Sequence, residues 1–245
     1  MATFLPSMNT GAAGASPVTA SDQNLARIND KTGTISALAQ SVTASMPLYQ
    51  TDGSLHWARA DGVNDSWKSL SSVNLSASDK LTLIVGVRKR SDAATGMLME
   101  FSPSTSGNDG SFGVRMPQGA AANFAFVARG TGAAGGSDAG RVTTNVYASP
   151  LSVVLFLQYD LAQATADLQI VAEINGTAPS LSALGLTAAG GGNFGNFFLH
   201  LFRRNDVSLP TTSDLFGVIG VGRILSAAEK SLCVRYMAAK TGINF

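Results

Sequence analysis

The sequence predicts an all-β protein, two antiparallel sheets packed as a sandwich and closed by one C-terminal helix. Three observations predict it. Roughly ten short runs rich in Val, Leu, Ile and Phe recur along the chain, parted by clusters of Gly, Ser, Asn and Asp. Strands and helical patterns do not alternate, so a parallel sheet with crossover helices is not expected. A single segment near the C-terminus switches to the 3.6-residue period of a helix.

Taken in order, residues 1–24 are small and polar and show neither period. They are expected as a flexible N-terminal arm, ordered when it docks on something. Residues 25–245 are expected as one domain. LHWARA (55–60) alternates, with Leu55, Trp57 and Arg59 on one face and His56, Ala58 and Ala60 on the other. KLTLIVGVRKR (80–90) is too apolar for a strand with one wet face, so it belongs at the centre of a sheet. GMLMEFS (96–102) follows a short turn, as a hairpin partner would. SFGVRM, NFAFVAR, RVTTNVYA, LSVVLFLQYD, ADLQIVAEING, NFFLHLFRR and DLFGVIGVGRI complete the strands. The helix is expected over 226–240. Ser226 and Glu229 form a capping box, and Gly242 supplies the stop. Ala228, Leu232, Cys233, Tyr236 and Met237 are its expected apolar stripe.

Composition narrows the function. Hydrophobic residues make up 45% of the 245, enough for a sizeable core, while charged residues are only 13%, about half the ~25% of an average domain. Such a surface suits a protein built into an assembly. A net charge of +1 argues against nucleic acid as the main partner, since a phosphate-binding face needs a clustered basic stripe. The lone basic cluster, Arg88-Lys89-Arg90, reads as a solvated strand end. One cysteine, Cys233, rules out an internal disulfide and reads as a buried thiol. No apolar run approaches the ~20 residues of a membrane helix, and no secretory signal is visible at the N-terminus.

A search for chemistry finds little. The Glu residues are Glu100, Glu173 and Glu229, with no alternating carboxylate set of the kind a glycosidase needs, so they are expected as surface carboxylates. His56 and His200 are the only histidines, and neither is placed as a base for Cys233. The expectation is a protein without catalysis, cofactor or resident metal. Calcium is the one ion with candidate loops: DGVND (61–65), TSGNDG (105–110) and GGSDAG (135–140) are oxygen-rich, as calcium loops are. GTGAAGG (130–136) lacks the following helix of a dinucleotide loop. Candidate glycan contacts are an aromatic platform beside polar loop residues: Trp67, Asn108, Asp109, Asn193 and Phe194.

Three stretches carry a resemblance. INDKTGTISALAQSVTASMPLYQTDGSLHWARADGVNDSW (28–67), SVVLFLQYD with LQIVAEINGT (152–177), and FGVIGVGRILSAAEKSLCVRYMAAKTGI (216–243) together resemble the concanavalin A-like, laminin-G-like jelly-roll domains of bacteriophage structural proteins. Asp30, Lys31, Gly33, Gln40, Pro47, Asp61, Gly62 and Asp65 stand at matching places. Ala60 replaces an aromatic, and Asn64 an aspartate. The resemblance implies a virion protein on the particle exterior, a capsid decoration or tail appendage. It would be held by contacts with other virion proteins, as a homo-oligomer, and made in the host cytoplasm without a signal peptide. The alternative is an adhesin that recognises glycans on the host surface. A glycan hydrolase is the third and least supported reading.

Overall fold

The computed structural model describes residues 2–10, 16–17, 20–33, 36–132, 139–185, 188–205 and 207–244. In chain order the strands are β1 (Ala2–Thr10), β2 (Leu25–Asp30), β3 (Leu38–Ala39), β4 (Leu48–Thr51), β5 (His56–Asp61), β6 (Trp67–Ser69), β7 (Lys80–Lys89) and β8 (Met97–Phe101). They continue as β9 (Phe112–Gln118), β10 (Asn123–Ala128), β11 (Ala139–Thr143), β12 (Leu151–Asp160), β13 (Ile170–Ile174), β14 (Leu181–Gly185), β15 (Leu199–Leu201) and β16 (Thr212–Val221).

All pairings among these strands are antiparallel. A back sheet runs β4-β5-β16-β7-β12-β13. A front sheet runs β2-β3-β6-β15-β8-β9-β10-β11-β14. β1 joins them: Ala2–Phe4 pair with Val218–Gly220 of β16, and Met8–Thr10 run along Leu25–Ile28 of β2. Part of the segment expected as an arm is therefore hydrogen-bonded into the sandwich. Pairing uses the backbone groups that every non-proline residue carries, and the Gly-, Ala- and Ser-rich remainder of residues 1–24 hid the more apolar ATFLPSMNT run.

β7 explains its own composition. Leu81, Leu83, Val85 and Val87 face the core between the sheets. Ile84 faces the other way and joins Val154, Phe156, Ile219 and Val221 under the C-terminal helix, against Val234, Met237 and Ala238. Both faces are dry, so the run is apolar throughout, as expected of a central strand. Gly86 makes the helix contact close: a Cβ there would lie 2.6 Å from Met237 Sδ and 2.7 Å from Thr241 Cγ2. The expected β7–β8 hairpin does not form. β7 pairs with β12 and β16, whereas β8 pairs with β9 and β15, so the intervening turn carries the chain from one sheet to the other. A short loop is compatible with either path, and strand composition does not distinguish them. The Asn-Gly turn after β13 forms as read, with Asn175 at φ 51° and Gly176 at φ 75°.

The helix spans Ala227–Thr241. The Ser226 hydroxyl accepts from the Glu229 amide, and Glu229 Oε2 accepts from the Ser226 amide at 2.9 Å. Gly242 closes the helix at φ 69°. The buried stripe differs from the expected one. Val234, Met237, Ala238 and Thr241 are buried, Cys233 is partly covered, and Ala228, Leu232 and Tyr236 face outward. The helix crosses the sheet on one narrow seam, and the small Ala238 and the Gly86 gap set which face lies closest.

Candidate functional site

The residues proposed as glycan contacts separate into two environments. Trp67 is wholly buried, donates Nε1–H to the Leu25 carbonyl at 2.9 Å and packs on Phe202. Phe194 is wholly buried too, edge-on to Phe112 and Tyr159. Neither aromatic forms a platform. They are core residues because large rings yield most when removed from water. The other three lie at one end of the sandwich, where loops 104–110, 129–132 and 189–195 meet. Asn108 Oδ1 accepts from the Thr105 amide and bonds the Ser104 hydroxyl. Asp109 pairs with the buried Arg129 at 2.6 Å. Asn193 donates to the Ser76 carbonyl at 2.7 Å. Glycines let these loops touch: a Cβ on Gly130 would lie 2.3 Å from the Gly191 carbonyl oxygen, and one on Gly110 2.7 Å from the Gly195 amide nitrogen. The side chains of Asn108 and Asn193 are thus spent in large part on holding the loops.

An exposed aromatic lies instead on the outer face of the front sheet. Leu199 and Leu201 of β15 point into the core, so Phe198, just before the strand, and His200 fall on the opposite face, where His200 is itself buried. Phe198 is 36% exposed, and Lys68 Nζ lies 4.1 Å from its ring centroid. Asn196 precedes it by two residues and pairs across the ladder with Asn74, both exposed. The surface is therefore an exposed ring with an ammonium over it, next to a pair of exposed asparagines. Sequence reasoning passed over Phe198 because Phe197 and Phe198 are adjacent. The FLHL alternation carried the signal that one ring must face out.

Beside this surface Glu100 is fully buried, not the surface carboxylate expected. It lies across the ladder from His200. Its Oε1 accepts from the Ser106 amide at 2.8 Å and from Arg204 Nε at 3.2 Å, while Oε2 is buried without a hydrogen-bond partner. Burial raises the carboxyl's pKa, against the opposing pull of Arg204, the Ser106 amide and His200. Glu173 is partly exposed and paired with Lys230 of the helix, and Glu229 is held down to about 2 by Arg223 and Ser226. Among the described residues the three Glu carboxylates thus sit at three separate places.

The two calcium-loop candidates within the described residues, 61–65 and 105–110, form turns. Asp61 Oδ1 accepts from the Val63 amide at 2.8 Å, and Asp65 turns inward to accept from the Asp61 amide at 2.9 Å. Burial pushes the Asp65 carboxyl up to about 7. In 105–110 the oxygens serve the loop contacts above. Residues 133–138, which include most of GGSDAG and part of GTGAAGG, lie outside the described residues. Among the described residues no group of three or more His, Cys, Asp or Glu side chains could hold a metal. Lys89 is buried, donates to the Ala122 carbonyl and pairs with Asp92, so the basic cluster is not a solvated strand end. Cys233 is partly buried, which raises its thiol pKa. No described helix is long and apolar enough to cross a membrane.

A cavity of about 340 Å³ opens between the sheets, walled by Leu81, Leu83, Met99, Phe101 and Leu199. The lining is mainly hydrocarbon, with Ser36, Ser71, Ser72 and Asn74 as its polar side chains and no charged one.

The sequence matches no family model and no curated protein. Solved structures match the fold. The botulinum neurotoxin serotype D ligand-binding domain, solved with N-acetylneuraminic acid, superposes with a TM-score of 0.59 at 7% identity, covering 96% of this chain and 50% of that one. The chain is a jelly-roll sandwich. The serotype G binding domain gives 0.58 at 11% identity, over 86% and 49% of the two chains. A heptameric SAP-like pentraxin from Limulus polyphemus gives 0.52 at 8%, over 72% and 80%. The jelly roll thus spans about half the length of the neurotoxin domains that it matches.

Proposed function

We propose that this jelly roll is a non-catalytic carbohydrate-recognition domain whose contact surface is the outer face of the front sheet around Phe198. One observation carries the reading: an exposed ring at the entry to β15, with Lys68 over it and the exposed Asn74–Asn196 pair two residues away. Sugars present C–H faces that stack on rings and hydroxyls that bond amides, and this surface supplies both. The N-acetylneuraminic acid bound by the serotype D neurotoxin domain supports it, since that ligand adds a carboxylate suited to Lys68. The dispersed Glu carboxylates favour binding without hydrolysis.

A glycan array, run with and without calcium, tests the proposal. Phe198→Ala is expected to reduce binding of the best glycan about tenfold, equal to ~1.4 kcal/mol, with an unchanged fold. A silent array, or a variant that binds as the parent does, would overturn it.

A particle-borne setting is the second reading. It is supported by the resemblance of residues 28–67 and 216–243 to domains of phage virion proteins and by the charge-poor composition. It predicts this polypeptide on the exterior of purified particles, bound to other virion proteins. Particles in which mass spectrometry finds no peptide of this chain would refute it.

A further inference from the structure

On the outer face of the back sheet, three guanidinium groups gather at one carboxylate. Arg59 of β5, Asp214 of β16 and Arg88 of β7 lie in a single cross-strand row, so their side chains leave the sheet on the same side. The Asp214 side chain is fully buried beneath them. Arg59 donates Nε–H to Oδ1 at 2.9 Å, and Arg88 donates Nε–H to Oδ2 at 2.7 Å. Arg90 Nε lies 3.9 Å from Oδ2, adding charge without a hydrogen bond. Three positive charges thus face one negative charge. Among the described residues no other carboxylate is ion-paired with these three arginines. Their side chains remain 30–35% exposed.

The row rests on aromatic rings. The Arg88 guanidinium lies 4.9 Å from the Trp57 ring centroid, and Trp57 packs on Phe216. Trp57 is 7% exposed, and its Nε1 is buried with no hydrogen-bond partner. The patch therefore holds surplus positive charge and guanidinium N–H groups beyond those that Asp214 takes, above an indole whose buried N–H is unpaired.

We propose that this patch is an oxyanion subsite, a seat for one carboxylate or sulfate group of an acidic saccharide. Guanidinium forks match such groups in shape and charge. Asp214 already fixes Arg59 and Arg88, so binding orders few new rotamers. A single row on a chain of net charge +1 suits one anionic group and not a phosphate backbone, which needs an extended basic stripe. The subsite lies on the opposite sheet from Phe198; its saccharide assignment rests on the carbohydrate reading above, whereas the anion assignment rests on the arginine row alone.

The indoles give the readout. The chain has two Trp residues; Trp57 lies under Arg88, while Trp67 is in the core, bonded to the Leu25 carbonyl. In ¹⁵N-labelled protein titrated with sialyllactose, the Trp57 indole N–H and the Arg59 and Arg88 Nε–H signals are expected to shift and saturate. The Trp67 signal is expected to stay in place, and neutral lactose to shift none of them. Arg90→Gln, which leaves both hydrogen bonds to Asp214 intact, is expected to weaken binding at least threefold, and Arg88→Gln at least tenfold, each with an unmoved Trp67 signal as the check on folding. Phe198→Ala is expected to leave the response unchanged, which separates this subsite from the front-sheet surface. An equal response to lactose, or unaltered binding by Arg90→Gln, would overturn the proposal. A response to sodium sulfate without one to sialyllactose would overturn the saccharide assignment.

Discussion

Asp65 is a carboxylate closed into a turn, and it titrates late. It is 5% exposed, with the Asp61 amide as hydrogen-bond donor, and its pKa rises from 3.8 to about 7. The folded state keeps this proton up to about pH 7, whereas the unfolded chain releases it near pH 4. Over that window the folded state binds more protons, so this group's contribution to stability falls as pH rises and then levels off. Asp65→Asn keeps an acceptor and removes the titration. It is expected to raise stability at pH 8 by roughly 1–3 kcal/mol and to change it much less at pH 4. Urea unfolding of both proteins across pH 4–8 measures this, and a constant difference across the range would contradict it. The sequence showed Asp65 within a loop-like DGVND, but not that its side chain turns inward. Glu100 repeats the point: one residue on one strand is read as surface, and only its neighbours on β9 and β15 and the Ser106 loop bury it.

At the scale of elements, the capping box, the glycine stop and the apolar central strand were legible because each depends on neighbours within a few residues. The helix face was not, because it depends on what the sheet presents. Gly86 is the contact that fixes it. Gly86→Ala puts a Cβ against Met237 and Thr241, both buried, and is expected to cost about 1–3 kcal/mol as the helix lifts from β7. A thermal midpoint equal to the parent's would show that the seam is looser than these distances indicate. The same dependence governed the candidate site. Trp67 and Phe194 stand in polar sequence, yet their strands and loops turn them into the core, while Phe198 is turned out by the strand that buries Leu199 and Leu201.

For the whole molecule, β1 bridges two sheets that each have other partners. The core residues of Leu81, Val85, Phe101, Phe112 and Tyr159 lie outside β1. Removing residues 2–10 is therefore expected to leave a folded sandwich whose midpoint falls by about 5 °C, the loss of one edge strand from a domain of this size. Circular dichroism and a thermal scan measure it. A truncated chain that fails to fold would show that β1 closes the sandwich, and an unmoved midpoint would show that its pairing adds nothing.

Local chemistry in the sequence determined the class of this protein: alternating apolar runs, turn residues at positive φ and a capped terminal helix specify sheets, turns and one helix through interactions a few residues long. The tertiary structure decided what those elements present. It placed β7 and β8 in different sheets, withdrew Trp67, Phe194 and Glu100 from water, and brought Arg59, Arg88 and Asp214, which are far apart in the chain, into one row. The physical reason is that burial and cross-strand register arise from pairings between distant segments, which a local pattern constrains by period but does not choose.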